Sequence, residues 1–140
     1  MKNIPVYKYP AAYAQEQNEL EAYRASSKAN IACKEAIEKA IHDHYQNNSL
    51  DPQGAESVMN AFGKERTMYV LAITVQYSIW DARYCPPIKE WAKSVLIFEE
   101  PHFKPGDWDR NVRFVINAHP GLIDLFAQQV LKLVGKEAAV

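Results

Sequence analysis

A long stretch without glycine or proline, residues 11–47, most constrains what this chain can fold into. Alanine, glutamate, lysine and glutamine dominate the stretch, and all four have high helix propensity. The sequence therefore predicts helix from about Ala11 to Asn47. A break near Gln17 and Asn18 would divide it into a short helix followed by a long one.

One face of the long helix is expected to be buried against a neighbour. At 100° per residue, six side chains lie within about 40° of Ile37: Tyr23, Ser26, Asn30, Cys33, Ile41 and His44. A stripe of small residues runs beside them, at Ala22, Ala29, Ala36 and Ala40. Small side chains let another helix approach closely. A polar strip of Arg24, Asn30, Lys34 and Glu35 follows, and a buried Asn30 would need hydrogen-bond partners.

Two further helices are predicted after the loop that ends at Asp51. Asp51 can cap a helix in which Pro52 takes the first position, and Gly63 is a natural stop after Phe62. The next helix should run from about Lys64 to Ala82. Its middle, MYVLAITVQYSIW, is apolar nearly all round, which is typical of a helix in the centre of a domain.

The C-terminal half is predicted to be mixed. Pro86 and Pro87 break the helix before them, and Ile88 to Lys93 can form one helical turn. The segments SVLIFEE (94–100) and VRFVIN (112–117) are typical of strands and can pair as a hairpin, with PVYKY (5–9) as a third strand. A last helix is expected from Pro120 to about Val134, buried through Leu122, Ile123, Phe126, Val130 and Leu133. The predicted fold class is mainly α (α+β), a helical domain with a central buried helix and a small two- to three-stranded antiparallel sheet.

Length and charge narrow the class of protein. A chain of 140 residues fits one domain, 1–140. Sixteen Lys and Arg against 17 Asp and Glu give a net charge of −1, which disfavours nucleic acid as a partner. No segment is typical of a secretory signal or a membrane span. The two cysteines, Cys33 and Cys85, make no disulfide framework, so we expect free thiols and a cytoplasmic location.

Residues that suggest chemistry have plain structural interpretations beside them. His119 precedes Pro120 at a helix start; it bridges strand and helix, or it joins an anion site at the helix N-terminus. His42 and His44 are two apart, so in a helix they point about 200° from one another and make a poor metal pair. Cys33 is interpreted as a small buried residue. We assign no catalytic residue, metal or cofactor.

An aromatic cluster surrounds the break after the third helix. Trp80, Asp81, Arg83, Tyr84 and Trp91 suit a protein-binding surface, and they suit a packed helix end equally well. A different arrangement, a pocket lined by Asn30, Lys34, Arg83 and His119, would indicate a small-molecule-binding domain or a small enzyme. A third interpretation is a scaffold that forms homo-oligomers through the alanine stripe.

Four segments together resemble an uncharacterised bacterial family of unknown function. They are residues 6–41, YVLAITVQYSIWDARY (69–84), KEWAKS (89–94) and AHPGLIDLF (118–126). The family is found in Firmicutes on conjugative and integrative mobile elements, alone or as a module of large proteins with antirestriction-, methylase- and helicase-like parts. The positions that match its recurring motifs are Tyr23, Arg24, Asn30, Cys33, Lys34, Trp80, Asp81, Arg83, Trp91, His119, Pro120 and Gly121. The segment CPPI (85–88) departs from the family pattern.

The resemblance implies a mobile-element accessory protein that acts by binding, with a role against host defence. It implies no activity. We expect a protein partner, with a small molecule as the alternative. The candidate binding residues are Arg24, Asn30, Lys34, Trp80, Asp81, Arg83, Trp91 and His119.

Overall fold

The computed structural model describes residues 4–46, 49–77, 90, 94–95 and 122–139. Within these ranges the chain is mainly helical, with α1 (Ala11–Glu16), α2 (Leu20–His44), α3 (Gln53–Phe62), α4 (Lys64–Tyr77) and α5 (Leu122–Ala139). Two short segments, β1 (Tyr45–Gln46) and β2 (Ser49–Leu50), pair antiparallel with Tyr45 opposite Leu50. None of the helices in the described ranges combines the length and the apolar character that crossing a bilayer requires.

The predicted break between the first two helices is confirmed, and Asn18 is its cause. Asn18 adopts a φ of 61°, in the left-handed region that asparagine tolerates better than most residues. The Glu19 amide donates to the Ala14 carbonyl at 2.7 Å, and the Asn18 amide donates to the Gln15 carbonyl at 3.3 Å. These two bonds satisfy the last carbonyls of α1 as a Schellman motif does. The chain then turns and begins α2.

The bounds of α3 follow the predicted signals closely. Asp51 Oδ1 accepts a hydrogen bond of 2.9 Å from the Gln53 amide at the start of the helix. Gly63, with a φ of 84°, ends it and donates to the Met59 carbonyl at 2.8 Å. Because α4 begins at the next residue, Gly63 sets the angle between the two helices.

The core lies around α4. Residues 69–73, five in succession, are each at most 3% exposed, so neighbours surround this part of the helix on every side. This confirms the prediction of a central buried helix for that segment. The other helices contribute Cys33, Ile37, Ile41, Ala55, Val58, Met59, Phe126, Ala127 and Val130.

The alanine stripe of α2 is used where α3 crosses it. A Cβ placed on Gly54 would lie 3.2 Å from Ala40 Cβ and 3.0 Å from His44 Cδ2. The close contact therefore depends on a small residue in each helix. Ala29 is also buried, whereas Ala22 is exposed.

The predicted small sheet is not supported by the described residues. Residues 5–9 form no strand, and Ser94 and Val95, the start of another predicted strand, have helical backbone. The reason at the N-terminus is that polar side chains of α2 and α4, rather than a second strand, bind the backbone of residues 4–7. The other strand of the predicted hairpin, 112–117, lies outside the described residues.

Candidate functional site

The structure places three of the predicted binding residues, all on α2. Asn30 is fully buried, Lys34 is 8% exposed and Arg24 is exposed. The others, Trp80, Asp81, Arg83, Trp91 and His119, lie outside the described residues. Of the three, Asn30 is the most deeply buried.

Asn30 contacts Arg66, which is not among the predicted binding residues. Arg66, in the first turns of α4, is 1% exposed. Its Nε donates to Asn30 Oδ1 at 3.0 Å, and its Nη2 donates to Ser26 Oγ at 3.0 Å. Because Ser26 and Asn30 are one helical turn apart, the two acceptors match one edge of the planar guanidinium.

The rest of the guanidinium holds the N-terminal segment. Arg66 Nη1 donates to the Ile4 carbonyl at 3.0 Å, and Nη2 donates to the Pro5 carbonyl at 3.1 Å. Ser26 Oγ accepts a second bond, of 2.9 Å, from the Tyr7 amide. Arg66 thus joins residues 4–7, α2 and α4. We call Arg66, Asn30 and Ser26 the arginine clamp.

The positive charge of Arg66 is stabilised by hydrogen bonds to neutral oxygen atoms. No carboxylate in the described part of the chain forms an ion pair with Arg66, and Glu65 beside it pairs with Lys8 at 3.4 Å. Burial lowers the pKa of Arg66, while the neighbouring Cys33 and Glu65 raise it. Asn30 Nδ2 is buried, and none of the described residues accepts a hydrogen bond from it. The clamp is therefore polar and tightly enclosed.

The Cys33 thiol, which is buried beside the arginine clamp, does not suit nucleophilic chemistry. Burial raises the pKa of Cys33 to about 12, against the opposing effects of a hydrogen bond with Thr67 and the charge of Arg66. A thiol with that pKa is not a thiolate at neutral pH, and the thiolate is the nucleophile. Lys34 Nζ forms an ion pair of 2.9 Å with Glu38 one turn along α2, and both side chains are buried.

Four tyrosines contact one another on the clamped segment, α1 and α2. Tyr7, 9% exposed, meets Tyr9 and Tyr23 edge to face, with ring centroids 5.9 and 6.0 Å apart. Tyr9 and Tyr13 stack at 4.5 Å with an angle of 29° between the rings. Both stacked rings are 37% exposed. We call these four residues the tyrosine face.

A separate shallow groove runs between α2 and α3. Its volume is about 220 Å³. Its lining is mostly small or apolar, with a few polar groups: Ala36, Lys39, Ala40, Asp43, His44, Ser57, Val58, Ala61 and Phe62. No group of three or more metal-ligating side chains occurs among the residues that the structure describes.

A helical pattern could have identified Arg66 from the sequence. Arg66 precedes Tyr69, Val70 and Ile73 by three, four and seven residues, so it shares their buried face. The tyrosine face had no comparable signal, because Tyr7 and Tyr9 lie on an extended segment. Only the fold brings them to Tyr13 and Tyr23.

Comparison with known proteins gives a family. The model of a family described as "Protein of unknown function (DUF3849)" matches residues 6–133. No curated protein matches this chain, and no solved structure does.

Proposed function

The chain belongs to the DUF3849 family of proteins of unknown function, and we propose that this member works by binding another protein. The observation that carries the proposal is the stacked, partly exposed pair of Tyr9 and Tyr13. Tyrosine is enriched at protein interfaces because it offers a large apolar ring and a polar hydroxyl with few rotatable bonds.

Buried hydrogen bonds hold the tyrosine face in place. Tyr7 contacts Tyr9, and the Tyr7 amide is bound by Ser26, which Arg66 also binds. A ring pair held in this way loses little conformational entropy when a partner covers it, which favours affinity. The arginine clamp thus has a positioning role in the proposed interface.

The proposal includes a second contact region. Arg24, which directly follows Tyr23 on α2, is exposed. The aromatic and charged cluster of Trp80, Asp81, Arg83 and Trp91 remains proposed as part of the interface on the grounds of its residue types.

We further propose that the partner belongs to a host defence system and that the chain serves a mobile element. The resemblance of the four sequence segments supports this part of the proposal. To test it, transfer of a conjugative plasmid into a host with active restriction would be measured with and without the chain. Expression should raise transfer, and a Tyr9→Ala, Tyr13→Ala variant should not. Equal transfer in all three cases would contradict the role.

A small-molecule-binding function near Asn30 and His119 is the second candidate. The buried Asn30 Nδ2 favours it, because the described residues offer this donor no acceptor and such a donor is costly unless something accepts from it. A thermal-shift screen of metabolites against wild type and His119→Ala tests this candidate. A ligand that raises the melting temperature of wild type alone would support it, and the absence of any such ligand would count against it.

Protein binding through the tyrosine face is tested by affinity capture from a host lysate. The baits are wild type, Tyr9→Ala with Tyr13→Ala, and Ile31→Ala, the last being an exposed apolar residue elsewhere on α2. A partner retained by wild type and by the Ile31 variant but lost from the tyrosine variant supports the proposal. Retention of the partner by all three baits would contradict binding through the tyrosine face. An Arg83→Ala, Trp91→Ala bait tests the second region in parallel.

A further inference from the structure

We infer that the tyrosine face binds a cationic segment of its protein partner, with arginine or lysine side chains placed against the tyrosine rings. This inference deepens the proposed function and rests on it. It names the chemistry of the partner, and it follows from the position of the aromatic rings and of the charges around them.

The rings offer the first half of the recognition. Tyr9 and Tyr13 stack at 4.5 Å, and each residue is 37% exposed, so a partner can reach part of both. A guanidinium or ammonium group over a tyrosine ring gains about 0.5–1 kcal/mol at an exposed site. An arginine is favoured because its planar group can also lie flat on the ring.

Acidic residues around the rings provide a second reason to expect a cationic partner. Residues 9–23 contain Glu16, Glu19 and Glu21 and no lysine, arginine or aspartate, although the whole chain has a net charge of only −1. Glu16 and Glu21 are exposed. The nearest preceding cation, Lys8, pairs with Glu65, and Arg24 marks the end of the acidic stretch.

Two of the acidic residues lie one helical turn from a tyrosine. Glu16 is three residues after Tyr13 on α1, so the two share a face of that helix. Glu19 precedes Tyr23 by one helical turn, and its backbone carbonyl accepts from the Tyr23 amide at 3.0 Å. Burial raises the pKa of Tyr7, and the negative charge of Glu19 raises it further, which places that charge near the tyrosines. Partly exposed tyrosines and carboxylates together attract cations and repel anions such as phosphate.

The experiment measures binding of a fluorescent peptide of alternating arginine and serine to the full chain by anisotropy. A peptide with citrulline in place of arginine keeps the shape and removes the charge. The test variants are Tyr9→Leu with Tyr13→Leu, which keeps apolar bulk, and Glu16→Gln with Glu19→Gln. The matched control is Glu35→Gln with Glu56→Gln, which removes two exposed carboxylates elsewhere on α2 and α3.

We expect the arginine peptide to bind wild type and the control alike, and the citrulline peptide not to bind. The tyrosine variant should weaken binding about tenfold, as the loss of two ring contacts predicts. The Glu16 and Glu19 variant should weaken it several-fold. Equal binding by all variants, an equal loss in the control, or no binding to wild type would overturn the inference. Circular dichroism establishes that each variant is folded.

The lysate experiment separates this inference from the proposed function. If the peptide fails while a protein is still captured in a tyrosine-dependent way, the cationic partner is wrong and protein binding stands. If both fail, both are wrong. Sedimentation equilibrium covers the case of a second copy: a wild-type dimer that the tyrosine variant dissociates would show that the face binds itself, and that also overturns the inference.

Discussion

Arg66 Nε donates a hydrogen bond of 3.0 Å to Asn30 Oδ1, and both side chains are almost completely buried. This bond joins the start of α4 to the middle of α2. The same guanidinium binds the carbonyls of Ile4 and Pro5, so it also holds the N-terminal segment in place. The proposed binding surface therefore depends on a buried polar contact beneath it.

Replacing Arg66 should destabilise the chain strongly. Arg66→Ala removes four hydrogen bonds of a charged donor and leaves buried acceptors unpaired, so we expect a loss of at least about 3 kcal/mol in the free energy of unfolding. Arg66→Lys should also be destabilising, because an ammonium group lacks the planar fork. Urea denaturation measures both. Arg24→Ala, an exposed arginine on α2, is the control and should change stability by less than about 0.5 kcal/mol.

Two neighbouring serines should respond differently to the loss of their hydroxyls. Ser26 Oγ accepts from the Tyr7 amide and from Arg66, so Ser26→Ala should cost about 1–3 kcal/mol. Ser27 Oγ is buried and has no hydrogen-bond partner in the described part of the chain, so Ser27→Ala should be neutral or slightly stabilising. Thermal or urea unfolding compares the pair. Equal costs at the two positions would contradict the arrangement of the clamp.

Cys33 should make stability fall at high pH. Its pKa is about 12 in the folded chain against 9.0 for an exposed thiol, so the folded state holds the proton more tightly. The stabilisation is complete below pH 9.0 and is lost as the pH rises toward about 12. The difference in unfolding free energy between wild type and Cys33→Ala should therefore shrink across that range. A constant difference would be evidence against a buried, protonated thiol.

The same thiol should resist modification. In a Cys85→Ser background Cys33 is the only thiol, since the chain has two cysteines. We expect slow reaction with an aromatic disulfide at neutral pH and fast reaction in urea, because modification requires the thiolate and access to it. Fast reaction without denaturant would contradict the burial of Cys33.

Two glycines provide a matched test of the contact between α2 and α3. Gly54→Ala would bring a Cβ to 3.0 Å from His44 Cδ2, so we expect a loss of about 1–3 kcal/mol despite the better helix propensity. Gly135→Ala, in α5, meets no atom within 4 Å and should stabilise by up to about 1 kcal/mol. Urea denaturation measures both variants. A stabilising Gly54→Ala would show that the helices are not in close contact there.

Local patterns were sufficient for the breaks that end α1 and α3. Asn18 and Gly63 tolerate a positive φ, and Asp51 has a side chain that accepts from the backbone two residues on. Such signals act within a few residues, so the sequence alone predicts where α1 and α3 end. The apolar run of α4 likewise predicts its own burial.

Contacts between residues far apart in the sequence could not be predicted from local patterns. The segment 5–9 has the composition of a strand, but its backbone is bound by Ser26 and Arg66, which lie far along the chain. Lys34 was expected in a polar strip, and in the folded chain it is buried as an ion pair with Glu38.

The sequence by itself determined the helical class, the breaks at Asn18 and Gly63 and the buried run of α4, because backbone preference and periodicity are local properties. The tertiary structure alone decided that Arg66 holds the N-terminal segment and that Tyr7 meets Tyr23. The physical reason is that a buried polar group takes whichever partner the packing of helices brings within hydrogen-bond distance, and that choice is made only when the chain folds.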